Sequence, residues 1–232
     1  VGKMRELLNS RFYIKFLSLW TIAILTAVVC FSGRLELPIS GGWVAAFVIM
    51  CVALYPAEVC ITTMKMIKPT YTSSEARLIE KMHNIPFVEE YGRGMTKFFT
   101  TRVMINIGGL IVPLILAFLT LYLMEERLSA LLLFLISMAI TYMTTEFRPP
   151  LGIVALPWIG FVLMPIAFLL SVDEAPQVML SGGVLGVIGG IIAWLLSVGE
   201  DEKGSAEINI GGYGNFEAIF LSVCIGIFAA VV

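Results

Sequence analysis

Eleven residues of this chain have the types and spacing to hold a small solute, a proton or a cation: Glu58, Asn106, Gly108, Gly109, Arg148, Asn209, Gly211, Gly212, Gly214, Asn215 and Glu217. Carboxylates carry protons or positive ions, asparagine amides both donate and accept, and glycine runs leave backbone N–H and C=O groups uncovered. The densest group is Ile208-Asn209-Ile210-Gly211-Gly212-Tyr213-Gly214-Asn215-Phe216-Glu217, which precedes an uncharged run of 15 residues ending at Val232. Its first five letters, INIGG, recur at Ile105 to Gly109, also at the head of an apolar run. Glu58 follows Pro56 inside a third apolar run, and Arg148 belongs to the turn Glu146-Phe147-Arg148-Pro149-Pro150. An ionisable group within a membrane span costs about 2.5 to 3.5 kcal/mol at mid-bilayer, so such residues are functional candidates by default. In a low-dielectric site a carboxylate can hold a proton near neutral pH, which makes proton coupling chemically available.

Other chemistry is thinly represented. His83 is the single histidine and sits in a polar stretch, where it reads as solvated. Cys30, Cys51, Cys60 and Cys224 fall in apolar runs without metal or disulfide-framework spacing and read as small packing residues. No serine–histidine pair, phosphate-binding loop or metal cluster stands out, so the expectation leans away from an enzyme and calls for no cofactor or metal.

These residues are carried by a chain whose solvent is lipid. Of the 232 residues 59% are hydrophobic and 14% charged, with a mean hydropathy of +0.94, against about 25% charged in soluble domains. Nothing basic enough to engage nucleic acid is present. Seven apolar stretches are long enough to cross about 30 Å of hydrocarbon: Phe12 to Phe31, Gly42 to Thr62, Met104 to Met124, Leu128 to Thr145, Leu151 to Val172, Gln177 to Val198 and Phe216 to Val232. The first reads as a span and not a cleaved signal, since no small-residue cleavage site follows it. The last is barely long enough, so it sits short or the natural chain continues. Thirteen of the 15 cations fall on one side of this arrangement, leaving only Arg34 and Arg127 on the other. The positive-inside rule then puts the N-terminus in the cytoplasm and the C-terminus outside.

The expected fold is therefore all-α: a polytopic membrane protein of about seven transmembrane helices. Residues 1–62 form an N-terminal helix pair, 63–103 a cytoplasmic loop and 104–232 a five-helix membrane domain. Within the loop, Thr72 and Glu75 have capping-box spacing, and Leu78, Ile79, Met82 and Ile85 line one face of a short amphipathic helix that Pro86 ends. Such a helix rests on headgroups, or serves as a gate or dock. Pro157 and Pro165 must kink or break the fifth span. Gly182, Gly183, Gly186, Gly189 and Gly190 put a bare groove on the sixth, of the kind that packs closely against another helix.

From Met104 onward the chain resembles a family of prokaryotic membrane proteins known as domain of unknown function sixteen-fourteen. The resemblance rests on Asn106-Ile107-Gly108-Gly109 with Pro113, on Arg148-Pro149-Pro150-Leu151-Gly152-Ile153, on Ser181-Gly182 and the glycines after it, and on Gly211-Gly212-Tyr213-Gly214-Asn215-Phe216-Glu217-Ala218-Ile219-Phe220. In that family the last motif ordinarily reads Gly-Gly-x-Gly-x-Phe-Asp-Gly-Ile-Phe, and an earlier glycine-rich span usually carries another Asp. Here Glu217 stands in place of the first Asp and the sixth span has no acid, so an activity needing both carboxylates is not implied. Gly212-Tyr213-Gly214-Asn215 is also similar to the Gly-x-Gly-Asp signature of intramembrane aspartyl proteases, with Asn215 where the Asp would be. The only aspartates, Asp173 and Asp201, fall in loops expected on opposite sides of the membrane.

The leading expectation is a transporter or channel-like protein for a small solute or ion, with an inward-facing polar site. Glu58 and Glu217 would be proton or cation sites, and Asn106, Asn209 and the glycine backbones coordinating groups. The alternative is an inactive relative of intramembrane aspartyl proteases, or an assembly factor holding partner helices in the grooves of spans five and six. Lipid is the expected environment, and an oligomer is left open.

Overall fold

The computed structural model describes residues 10–67, 98–148, 152–198 and 207–231. Most of these residues are helical, in seven helices: α1 (Ser10–Cys30), α2 (Gly41–Ala53), α3 (Ile107–Leu123), α4 (Arg127–Thr144), α5 (Ile159–Leu170), α6 (Ala175–Ser197) and α7 (Phe216–Ala229). α3 opens on a π-helical turn at Ile107–Ile111, and α6 contains another at Met179–Gly183. By length and composition, α4 and α6 can cross a membrane, and the remaining apolar helices are shorter. At 1.5 Å per residue the 23 residues of α6 span about 35 Å and the 18 of α4 about 27 Å.

The chain is not all-α. Among the described residues five strands are interleaved with the helices: β1 (Glu58–Ile67), β2 (Phe98–Asn106), β3 (Glu146–Arg148), β4 (Gly152–Val154) and β5 (Glu207–Ile210). β2 is the centre of a three-stranded sheet, antiparallel to β1 and parallel to β5. Glu58 pairs with Asn106, and Ile105 pairs with Ile210. β3 and β4 form a separate hairpin in which Arg148 lies opposite Gly152.

Three of the expected spans are shortened by these strands. The stretch Gly42 to Thr62 is helical only to Ala53, because Pro56 prevents continuation and the residues from Glu58 are rich in Val, Ile and Thr, which favour the extended chain. The stretch Met104 to Met124 begins as strand through Asn106. The stretch Leu151 to Val172 is helical only from Ile159, so Pro157 lies in the turn before α5 and Pro165 alone sits inside it. The connection expected as a cytoplasmic loop over 63–103 starts and ends in the β1–β2 ladder. The amphipathic helix expected between Thr72 and Ile85, and His83 with it, lies outside the described residues. Cys60, expected to pack internally, is exposed on β1, while Cys30, Cys51 and Cys224 are buried.

Hydrogen bonds sort the connections into two ends. Glu36 N donates to Ala230 O, Gln177 Nε2 to Glu36 O, Glu126 N to a Glu174 carboxylate oxygen and Ser129 Oγ to Leu170 O. The 31–40 loop, the α3–α4 turn, the α5–α6 turn and the end of α7 thus gather at one end, and both sheets lie at the other. α6 and α7 carry much of the buried core, and α4 packs along the glycine groove of α6. A Cβ on Gly186 would come within 2.6 Å of Phe134 O, and one on Gly190 within 2.6 Å of Thr141 Cβ. Ser137 Oγ donates to Gly183 O at 2.9 Å across the same seam. The opposite face of α4 leaves Leu128, Leu131, Leu132, Leu135, Ile136 and Met143 exposed.

Candidate functional site

The two INIGG copies lie side by side. β2 and β5 run parallel, with Met104 opposite Asn209, so the copies are offset by two residues, and each strand delivers an asparagine followed by a glycine pair. The turns then press together. A side chain on Gly109 would collide with the carbonyl oxygen of Gly211 and come within 2.5 Å of the Phe216 ring. On Gly211, whose φ of +77° already favours glycine, a Cβ would sit 2.6 Å from Leu110 N. Gly108 is held in the same way against the end of α2, where a Cβ would lie 2.7 Å from Tyr55 N.

Asparagine side chains close both turns. Asn106 is fully buried and caps α3: its Oδ1 accepts from Gly109 N at 2.8 Å, and its Nδ2 donates to Tyr55 O at 2.6 Å. Asn215 is also buried. Its Oδ1 accepts from Gly211 N at 2.6 Å, and its Nδ2 donates to Asn209 O at 2.8 Å and Ile153 O at 3.2 Å. Gly214, with φ of +96°, ties into the same joint through its carbonyl oxygen, which accepts from Ala155 N at 3.0 Å. Every polar group of the Asn215 amide is therefore occupied in tying β4 to the glycine turn. A carboxylate at that position could not make the two donated bonds.

Asn209 is different. Its Nδ2 donates to Glu58 Oε1 at 2.5 Å, joining the end of β5 to the start of β1 across β2. Its Oδ1 is buried and has no hydrogen-bond partner. The amide fits there because Gly212 has no side chain; a Cβ on Gly212 would fall on the amide atoms of Asn209. Glu58 itself is half-buried.

Two of the sequence candidates stand apart from this joint. Glu217 lies in the first turn of α7, where a carboxylate is favoured, and its Oε1 is 2.7 Å from Lys15 Nζ, which also sits 5.0 Å over the Tyr213 ring. Arg148 is exposed and donates through Nε and Nη2 to one oxygen of Glu146, at 3.0 and 2.9 Å. Glu58, Asn106, Gly108, Gly109, Asn209, Gly211, Gly212, Gly214 and Asn215 are brought together. Sequence reading missed Tyr55 and Ile153, which take part through backbone carbonyls, and Lys15, whose partner lies about two hundred residues away. Among the described residues, no three His, Cys, Asp or Glu side chains converge as a metal site would require.

A family model described as a protein of unknown function, DUF1614, matches residues 52–232. The chain belongs to the DUF1614 family. The matched region begins in the last turn of α2 and includes every residue of the joint around Asn106, Asn209 and Asn215. Lys15 lies before it, so α1 reaches into the terminal family motif from outside the matched region. No curated protein matches this chain, and no solved structure does.

Proposed function

We propose that this DUF1614 member is a multi-pass membrane protein that moves a small solute or ion through a polar site at its cytoplasmic end. Seven helices, alternating in direction between the two ends, would each contribute to crossing the bilayer. The exposed apolar faces of α4, α1 and α5 support this: Leu25, Val28, Phe161 and Leu169 are exposed like the α4 leucines, and apolar surface of this kind suits contact with lipid. Charge supports it too: Lys15, Lys65, Arg102 and Arg148 lie at the sheet end, and Arg34 and Arg127 at the other. The 13 residues of α2 reach only about 20 Å and the 12 of α5 about 18 Å. Irregular backbone must complete those crossings, and at membrane depth such backbone is tolerated only within protein or beside a watery cavity.

The observation that carries the reading is the Glu58–Asn209 contact on the sheet, between the end of α2 and the glycine turn before α7. Transporter sites are commonly built from helix ends whose free backbone groups and a few polar side chains face the substrate. The assembly-factor alternative needs open grooves, whereas α4 fills that of α6, and Gly160 of α5 packs against Ser222 of α7. Proteoliposome flux across a panel of small solutes, protons and monovalent ions tests the proposal. Flux that Glu58→Gln reduces at least tenfold is expected, and absence of flux for the whole panel sinks it. Protease protection of terminal tags, with the N-terminus inside and the C-terminus outside, checks the odd number of crossings.

A further inference from the structure

We infer that this chain is fitted to hydrocarbon about 22 Å thick, roughly a quarter thinner than an ordinary bilayer core, so that ordinary lipid must thin where it meets the protein. The inference rests on the multi-pass reading for the presence of lipid, and on the height of the exposed apolar belt for its thickness.

Three helices expose apolar side chains over the same height. They stand on different sides of the molecule, since α1 packs on α2 and α7 whereas α4 packs on α5 and α6. Among the described side chains of α1 the exposed apolar residues begin at Leu17 and end at Phe31. On α4 they begin at Leu128 and end at Met143, and along α5 and the turn after it they run from Trp158 to Val172. At 1.5 Å per helical residue each band is about 21 to 23 Å tall. Tilt away from the membrane normal only shortens them.

Polar groups close the belt at both rims. At the sheet end Lys15 pairs with Glu217 just below the α1 band, and exposed Glu146 and Arg148 follow α4. At the other end the exposed residues Arg34, Arg127 and Asp173 stop the bands of α1, α4 and α5. Trp43 and Tyr122 are exposed near that rim, and Tyr142 and Trp158 near the sheet end, the two levels at which aromatic residues meet lipid headgroups. A protein partner would cover one patch of its own outline. A belt of constant height on separate faces, edged by charge and aromatic rings, has the form that a bilayer covers.

The long helix α6 is compatible with this height. Its 23 residues reach about 35 Å, but 67% of its apolar window is buried inside the protein, so lipid does not read its length. The window of α4 is only 22% buried, and its band is the one that lipid touches. α2 and α5, at about 20 and 18 Å, then fall only a few ångströms short of the belt. Hydrocarbon of about 30 Å meets such a belt by thinning, because drawing the charged rims into it is costlier.

The test is thermal unfolding of the full chain reconstituted in phosphatidylcholine vesicles whose monounsaturated acyl chains run from 14 to 22 carbons. The highest unfolding temperature is expected with 14-carbon chains, with a fall of about 5 °C or more by 20 carbons as mismatch accumulates. Depth is read separately in 18-carbon lipid by single nitroxide labels on Leu128→Cys, Leu135→Cys and Met143→Cys, in a Cys60→Ser background that leaves only the buried cysteines. Collisions with oxygen should peak for the label at 135, and collisions with a water-soluble nickel chelate should be about threefold more frequent at 128 and 143. An optimum at 18 carbons or longer, or rim labels as deep as the one at 135, overturns the inference and leaves the multi-pass reading standing. Labels that all meet the nickel chelate freely overturn both. Labels shielded from oxygen and nickel alike would put a protein on α4 in place of lipid, and would also overturn it.

Discussion

Gly109 and Gly211 face each other so closely that neither can carry a side chain, and this contact locks the head of α3 to the turn before α7. The two glycines belong to the two copies of the same five-residue motif. Gly109→Ala should destabilise the protein by about 3 kcal/mol, because the obstruction is backbone and cannot rotate away. Gly189→Ala on α6 is the control. Its nearest neighbour is the ring edge of Phe134 at 3.3 Å, and alanine is the better helix former, so the change should stay within about 1 kcal/mol. Thermal unfolding in detergent compares the two.

Asn215→Asp replaces an amide that donates twice with a group that, when ionised, donates nothing. The carbonyls of Asn209 and Ile153 would then face a negative charge in a buried place, at a cost of about 3 kcal/mol near neutral pH. The folded state would favour the protonated form of the introduced carboxyl. The penalty is therefore smallest at low pH, where the acid still donates one of the two bonds, and grows as pH rises through the unfolded carboxylate range. Unfolding curves at pH 4 and pH 8 should show the variant closest to the parent at pH 4. A uniform loss at both would mean that the two donated bonds are not what holds β4 to the glycine turn.

Glu58 and Glu217 both read from the sequence as proton or cation sites, and they should separate in experiment. Glu217→Gln breaks a partly exposed pair with Lys15, which is worth about 1 kcal/mol at most, and should leave flux within about twofold. Glu58→Gln keeps the size of the side chain and removes the charge at the Asn209 amide, so it should reduce flux at least tenfold with near-normal folding. Equal effects in the same proteoliposomes would remove Glu58 from its special position.

Gly186→Leu should force α4 and α6 apart. Phe134 O and Ser137 Oγ lie 2.6 and 2.7 Å from where its Cβ would be, and Ser137 also donates to Gly183. A loss of folded protein is expected by size-exclusion profile. Ser137→Ala, which removes only the hydrogen bond, should cost about 1 kcal/mol.

How much of this was legible depended on which physical signal each element carries. α4 and α6 are long and apolar, α6 with its glycines three and four residues apart along one face, and hydropathy finds both with bounds within a few residues. β1 was misread because Val59, Ile61 and Thr62 count as apolar or neutral in a span yet stiffen an extended chain, and Pro56 separated them from α2. The glycine turns announced themselves by composition and by their repetition. Their partners did not: Tyr55 and Ile153 act through carbonyl oxygens, which every residue has, so no side-chain pattern marks them. In the sequence Asn215 stands where the protease signature has Asp, and only its hydrogen bonds reveal that an amide is what the position uses.

The parallel pairing of β2 with β5 joins residues about a hundred positions apart, with four helices between them. During synthesis Asn106 is made long before Asn209, and the chain between must be laid down before the two motifs can meet. Contacts of such separation form late, because the intervening chain must first give up its freedom. A protein interrupted anywhere before Glu207 would hold α1 through α6 without the strand that completes the joint. The Glu58–Asn209 contact thus comes into being only once β5 has been made, so an interrupted product carries the carboxylate without the amide that meets it.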